Sequence, residues 1–293
     1  MITILTPSYN RGYIIKKAYD SLVRQEDKDF EWLIVDDGST DDTKKIVDGF
    51  IKENKIKIRY YYKKNGGKHT ALNYGIKRLK GDLVLILDSD DYLTDDAVKK
   101  IKFFWNKYCD NEKICGLSFL RELKNRKTIA KKYEGTEIIS NHITFRYNKG
   151  LLGDMAEVFR ADVIKKYPFP VYDGERFLSE AIVWNRIAFD YDTVYINEPI
   201  YVCEYLEDGL SNSCLNSRIK CPVGSLENSK VFMDKRFKLS IRIKNAILYI
   251  GFSLIAKRKI KQIIKESNHS LLTVLVLPLG FLFYLYLKSR NIK

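Results

Sequence analysis

Between Leu83 and Asp91 an apolar run, Leu-Val-Leu-Ile-Leu, ends abruptly in Asp88-Ser89-Asp90-Asp91. Carboxylates so close repel one another, and the repulsion is relieved when a divalent cation, Mn2+ or Mg2+, lies between them and a bound phosphate. That chemistry suits an enzyme acting on a nucleotide diphosphate. A solvated turn is the plainer reading of the same four residues.

Three more polar clusters follow short β-type runs: Pro7-Ser8-Tyr9-Asn10-Arg11, Asp36-Asp37-Gly38-Ser39 and Asn65-Gly66-Gly67-Lys68-His69. The runs predict strands at Ile2–Thr6, Trp32–Asp36, Ile56–Tyr62 and Leu83–Leu87. Helical spacing predicts helices over about Ile14–Gln25, Thr40–Glu53 and Thr70–Leu79. Ser39 and Thr40, followed by Asp41 and Asp42, mark a helix start. Alternating strands and helices predict an α/β fold, with a mainly parallel central sheet flanked by helices. In an open sheet of that kind the four strand ends gather along the ligand-binding edge. There a carboxylate can accept the imide N–H of uracil, Tyr9 can stack on a base, and Lys68 can reach a phosphate. Gly-x-Gly-x-x-Gly after the first strand and the P-loop pattern are both absent, so the nucleotide must be held by these side chains instead.

The chain has 293 residues, 45% of them hydrophobic, enough for a full core. Its +14 charge is concentrated at one end. From Leu215 to Lys293 there are 16 Lys and Arg against 3 Asp and Glu, leaving only +1 on the first 214 residues. A nucleic-acid binder would carry its positive charge onto the folded recognition surface, so no nucleic-acid partner is expected. The basic stretch instead runs into Ser270–Leu287, which has no charged residue and is interrupted by Pro278 and Gly280. Such a segment is slightly short of the roughly 30 Å hydrocarbon core, which favours monotopic or re-entrant insertion over a true span. Upstream, Phe237–Lys265 mixes apolar and basic residues as amphipathic helices on anionic lipid would. The expected organisation is a catalytic domain over 1–214, divided near 110 into nucleotide-binding and acceptor-binding halves, and a helical membrane-associating tail over 215–293. The start of the chain has no secretory signal pattern, so the catalytic domain is expected in the cytosol. The five cysteines form no CxxC pair and no zinc-type cluster, and suit reduced thiols in packing roles.

Thr6-Pro7-Ser8-Tyr9-Asn10, Val35-Asp36-Asp37-Gly38-Ser39, Gly67-Lys68-x-x-Ala71-Leu72-Asn73 and Asp88-Ser89-Asp90-Asp91 together resemble the motifs of glycosyltransferase family 2 over roughly residues 1–210. The resemblance implies a GT-A fold, a nucleotide-sugar donor, a divalent metal at the Asp-x-Asp element and inversion at the anomeric carbon. It implies that Pro7, Tyr9 and Asp37 contact the base, with Asn10, Arg11 and Asp36 near them. Gly67, Lys68 and Asn73 would lie by the donor. Asp88, with Ser89, and Asp90 would hold ribose and metal, Asp90 being the metal ligand. The family often places its general base in a Thr/Ser-Glu-Asp segment. This chain has Ser179-Glu180-Ala181, a departure at the third position that leaves Glu180 as the expected base.

Weaker expectations fall on Asp91, Asp154, Glu157, Trp184, Arg186 and Asp208 as residues of the acceptor pocket or of a loop that closes over the phosphates, with Gly153–Glu157 expected to precede a helix. Two other classes compete. A sugar-phosphate nucleotidyltransferase would want a Gly-rich, Arg-containing loop after the first strand, and Tyr9-Asn10-Arg11-Gly12 is a poor version of one. A membrane-bound scaffold or glycan-binding protein accounts for the tail but leaves the four strand ends without purpose. The favoured expectation is transfer of a sugar, UDP-linked by the family's habit, to a glycan or lipid-linked acceptor for surface polysaccharide, at the cytoplasmic face of a bacterial inner membrane.

Overall fold

The computed structural model describes residues 1–151, 153–204 and 214–290. They fall into two units. The first is built from Met1–His142, Leu151–Pro168 and Ile187–Glu204. The second gathers Ile143–Gly150, Phe169–Arg186 and the described part of Tyr205–Lys293.

The first unit holds a nine-stranded sheet. Its strands are β1 (Ile2–Ser8), β2 (Phe30–Asp36), β3 (Ile58–Tyr62), β4 (Leu83–Ile86), β5 (Tyr92–Leu93), β6 (Ile114–Leu123), β7 (Glu137–Ser140), β8 (Met155–Arg160) and β9 (Asp192–Cys203). They lie in the order β3-β2-β1-β4-β8-β6-β9-β5, with β7 pairing β9. The expected parallel order is realised in β3-β2-β1-β4, in register so that Ser8, Asp36 and Tyr62 end side by side. Beyond it β8 runs antiparallel to both β4 and β6. Gly153–Glu157, expected to precede a helix, instead leads into this strand. Its hydrophobic residues are buried against two neighbours, and only the four-residue α5 (Ala161–Ile164) follows.

Every residue of β1, β2 and β4 is buried, which explains why they read as apolar runs and not as alternating patterns. Helices α1 (Lys16–Val23), α2 (Thr43–Glu53), α3 (Lys68–Ile76) and α4 (Ala97–Trp105) belong to the same unit. Tyr19 of α1 stacks on Phe50 of α2 at 4.0 Å, and both stack on Trp32 of β2. Helix α2 starts at Thr43, later than Thr40, because Asp41 accepts both the Thr43 N–H at 3.0 Å and its hydroxyl at 2.5 Å. Glu31 of β2, fully inaccessible, accepts from the Arg59 Nε at 3.0 Å and from the Thr3 hydroxyl at 3.0 Å.

The second unit is helical: α6 (Ala181–Ile187, its last residue counted with the first unit), α7 (Cys214–Lys220), α8 (Pro222–Val231), α9 (Leu239–Ile255), α10 (Ile260–Glu266), α11 (Ser270–Leu275) and α12 (Leu277–Arg290). Its core includes Leu226, Met233, Ala246, Tyr249, Ile250, Phe252, Val276 and Leu287. Helix α9, within the stretch expected to lie on lipid, is the central element of this core. It packs against α8 and α12, and residues 249–253 are all buried. Counting charges and apolar residues over 237–265 could not reveal this, because the packing partners come from other segments. Among the described residues no helix is long and apolar enough to cross a membrane.

Candidate active site

Side chains at the C-terminal edge of β3-β2-β1-β4 fasten the four polar clusters to one another. After β1, Asn10 adopts a left-handed conformation (φ 51°), as Asn can in turns. Its N–H donates to Ser39 Oγ at 2.8 Å, and its Oδ1 accepts the Thr40 N–H at 2.8 Å. The Arg11 N–H donates to Thr43 Oγ1, and that of Gly12 to Asp41. The first two clusters are thereby joined.

Asp36 ends β2 fully buried, accepting the Tyr60 hydroxyl at 2.6 Å and the Ser39 N–H at 2.7 Å. Asp37, 3% exposed, accepts the N–H groups of Gly66 (3.0 Å) and Gly67 (2.7 Å) and the Lys63 ammonium. It therefore joins the second cluster to the third. Gly38 (φ 89°) and Gly67 (φ 92°) sit where L side chains are strained, and a Cβ on Gly38 would lie 2.7 Å from the Asn65 nitrogen. The positive φ explains the glycine at both positions, and at Gly38 the close approach of Asn65 adds to it.

The third cluster opens α3, whose first residue, Lys68, forms an ion pair with Asp88 at 2.5 Å. The Asp88 N–H in turn donates to the Tyr201 hydroxyl at 2.9 Å. Arg121 lies over the Tyr201 ring, 4.1 Å from its centroid, and donates to the Met155 carbonyl at 2.7 Å. Asp91, buried, accepts the Glu204 N–H at 3.0 Å, and Glu204 pairs with Lys17 of α1. The carboxylate loop after β4 is thus held on one side by α3 and on the other by β9.

The three carboxylates have different proton affinities. Burial alone would raise Asp88, but the charges of Lys68 and Arg121 hold it below the usual carboxylate range. Asp90 is raised by burial and by the charge of Asp88, with Arg11 and Lys68 acting the other way. Asp91 is pushed up to about 7 by burial and by its two neighbours. A second cation beside Asp88 and Asp90 would favour both anions. Among the described residues no three His, Cys, Asp or Glu side chains form a ready-made metal cage. One or two carboxylates completed by phosphate oxygens is the arrangement that suits Mg2+-like ions, so the residues present fit such a cation.

Of the other expected residues, Pro7 is buried in β1 and Tyr9, just beyond it, is 46% exposed, able to offer a ring face. Ser89 is buried, and Asn73 lies half-buried in α3. Asp154 is exposed ahead of β8, and Glu157 is on β8, where its charge is felt by Arg121. Glu180 immediately precedes α6, and its carbonyl accepts the N–H groups of Val183 and Trp184. Glu180, Trp184 and Arg186 belong to the second unit, where Trp184 packs edge-to-face on Phe169. Asp208 lies outside the described residues. Sequence reasoning missed Arg121, Tyr201 and Lys63. Arg121 carried a readable signal, a lone cation inside the apolar strand pattern Leu-Ser-Phe-Leu-Arg, which requires a buried partner.

The family model described as "Glycosyl transferase family 2" matches residues 3–161, more than half of the chain. The chain belongs to glycosyl transferase family 2. Relatives of this family 2 glycosyltransferase include the uncharacterized glycosyltransferase MG025 of Mycoplasma genitalium, 27% identical over 97% of the chain and 93% of the relative. The poly-beta-1,6-N-acetyl-D-glucosamine synthase of Staphylococcus epidermidis is 26% identical over 98% of the chain and 68% of its own length. Among solved structures, S. aureus TarS 1–349 in complex with UDP aligns with TM-score 0.62 at 17% identity, covering 100% of the chain and 92% of TarS 1–349. The mannosyltransferase PcManGT of Pyrobaculum calidifontis, in complex with GDP-Man and Mn2+, aligns with TM-score 0.58 at 16% identity over 99% of the chain and 83% of its own. These structures share the GT-A-like α/β fold of the enzyme.

Proposed function

We propose that this glycosyltransferase moves a hexose from a UDP-linked donor to a hydroxyl of a glycan or lipid-linked acceptor, with inversion, during bacterial surface-polysaccharide synthesis at the cytoplasmic face of the inner membrane. The observation that carries this reading is the lateral fastening of four strand-end clusters along one sheet edge, with Lys68 on Asp88 beside Asp90. Uridine is supported by TarS, whose structures are described with UDP and with UDP-GlcNAc. A polysaccharide product is supported by the Staphylococcus epidermidis relative.

In this mechanism Tyr9 stacks on the base, and Asp37, already holding the Gly66–Gly67 turn, faces the imide. Lys68 exchanges its pairing with Asp88 for the donor phosphates and offsets the charge that builds on the departing diphosphate. Glu180 takes the proton of the acceptor hydroxyl as that oxygen attacks the anomeric carbon from the face opposite the leaving group. A divalent cation held by Asp90, with Asp88 beside it, would supply further charge neutralisation, as the Mn2+ of the mannosyltransferase complex supports.

Thermal-shift titration with UDP, GDP, dTDP and CDP, each with and without Mn2+, tests the donor assignment, because a ligand that binds only the native state raises its melting temperature. A Mn2+-dependent shift with UDP alone, lost in Asp90→Asn, is the expected result. No shift with any diphosphate would overturn it.

A further inference from the structure

Helices α11 and α12 place their apolar residues on two opposite faces. The inner face is used within the second unit. Gly280 fits against Ile250 so closely that a Cβ there would lie 2.5 Å from its side chain, and Phe283 meets Phe252 edge-to-face at 5.9 Å. Val276 and Leu287 are buried with them. The outer face carries Leu271, Val274, Leu275, Leu279, Leu282 and Leu285, of which Leu271, Leu275, Leu279, Leu282 and Leu285 follow one another at steps of three and four residues, with Val274 beside Leu275. All six are exposed, Leu271 by 71%, Leu275 by 69% and Leu282 by 61%. Single exposed leucines are ordinary, but a continuous stripe of them marks an interaction surface.

Charge identifies the occupant. No charged residue lies between Ser270 and Leu287, whereas Lys257, Lys259, Lys261 and Lys265 precede the stripe and Lys288 and Arg290 follow it, all exposed. An uncharged apolar stripe with cations at both ends complements an anionic bilayer surface, with leucines among the acyl chains and cations at the headgroups. A second copy would bring two equally basic segments together. Insertion across the bilayer is excluded by α12 itself, whose 14 residues span about 21 Å against a core of roughly 30 Å, and whose inner face is committed to α9.

We infer that the outer face of α11–α12 docks in the plane of an anionic membrane surface. The inference stands on the second unit alone and is independent of the donor assignment. The test is co-sedimentation of the full chain with vesicles of phosphatidylcholine, alone or mixed with phosphatidylglycerol, comparing wild type with Leu275→Gln/Leu282→Gln. Both side chains are exposed, so the melting temperature should not change. Vesicle partitioning of the wild type should require phosphatidylglycerol and weaken with salt, and it should fall at least about tenfold in the variant. Failure of the wild type to sediment with the mixed vesicles would overturn the inference, as would equal partitioning of the variant. Sedimentation velocity without lipid covers the remaining occupant: a wild-type dimer that the variant dissociates, with vesicle binding unchanged, would assign the face to self-association. The UDP thermal shift, measured on both proteins, reports separately on the donor site.

Discussion

Replacing Asp91 by asparagine tests the charge balance at the end of β4. Asp91 is 6% exposed, and burial, followed by the charges of Asp88 and Asp90, lifts its carboxyl from 3.8 to about 7. The proton belongs to the three-carboxylate cluster, so the midpoint observed will be that of the cluster. A folded pKa above the unfolded one means that protonation stabilises the fold. That contribution is complete below about pH 4, declines as the pH rises, and is lost above about 7. A displacement of about three units corresponds to at most roughly 4 kcal/mol. Asparagine keeps an oxygen for the Glu204 N–H and cannot ionise. Without divalent ions, the variant should therefore exceed wild type in stability by roughly 2–4 kcal/mol near pH 8, the gap narrowing toward pH 4. Urea unfolding in a chelating buffer across that range measures it. A variant no more stable than wild type near pH 8, or a gap that does not change with pH, would refute the reasoning.

Asp90→Asn should abolish cation-dependent turnover while circular dichroism and melting show an intact fold; activity retained with Mn2+ would remove Asp90 from the metal site. Glu180→Gln should reduce transfer by about 100-fold or more without weakening UDP binding by calorimetry, and an unchanged rate would move the base elsewhere. Arg59→Met leaves the buried Glu31 carboxylate with only the exposed Lys57 ammonium, 3.8 Å away, as a cation partner and should cost about 3–5 kcal/mol in urea unfolding at neutral pH, with a loss under 1 kcal/mol counting against the Arg59 pair. Tyr201→Phe removes the acceptor of the Asp88 N–H and should raise the Mn2+ concentration required for half-maximal activity with little change in melting temperature. A melting loss with unchanged metal dependence would make Tyr201 structural only.

Much of β1 to β4 was legible because it is local. Each of β1 to β4 is a short β-type run, apolar in β1, β2 and β4 and tyrosine-rich in β3, that is followed by a polar cluster, and the predicted strands lie within two residues of those observed. Parallel order followed from the helices between them. What escaped depends on distant partners. Tyr201 meets the Asp88 backbone across 113 positions, and nothing near either residue signals the other. Gly153–Glu157 carries too few residues for its period to separate strand from helix, and two-sided pairing decided the matter. Within the tail, composition located the apolar segment, but the division of α12 into a packed and an exposed face needed Ile250 and Phe252 from α9.

The strand order has a consequence for synthesis of the chain. β1 to β4 are complete once residue 86 has left the ribosome, but the neighbour that covers the outer side of β4 is β8, which begins only at Met155. During the intervening elongation the nascent β1–β4 sheet presents a fully buried-type strand as an open edge, a template for pairing with other chains. Truncation before β8 should therefore yield aggregates and not a free nucleotide-binding fragment, and a soluble monomeric product ending near residue 110 would show that the edge is protected in another way.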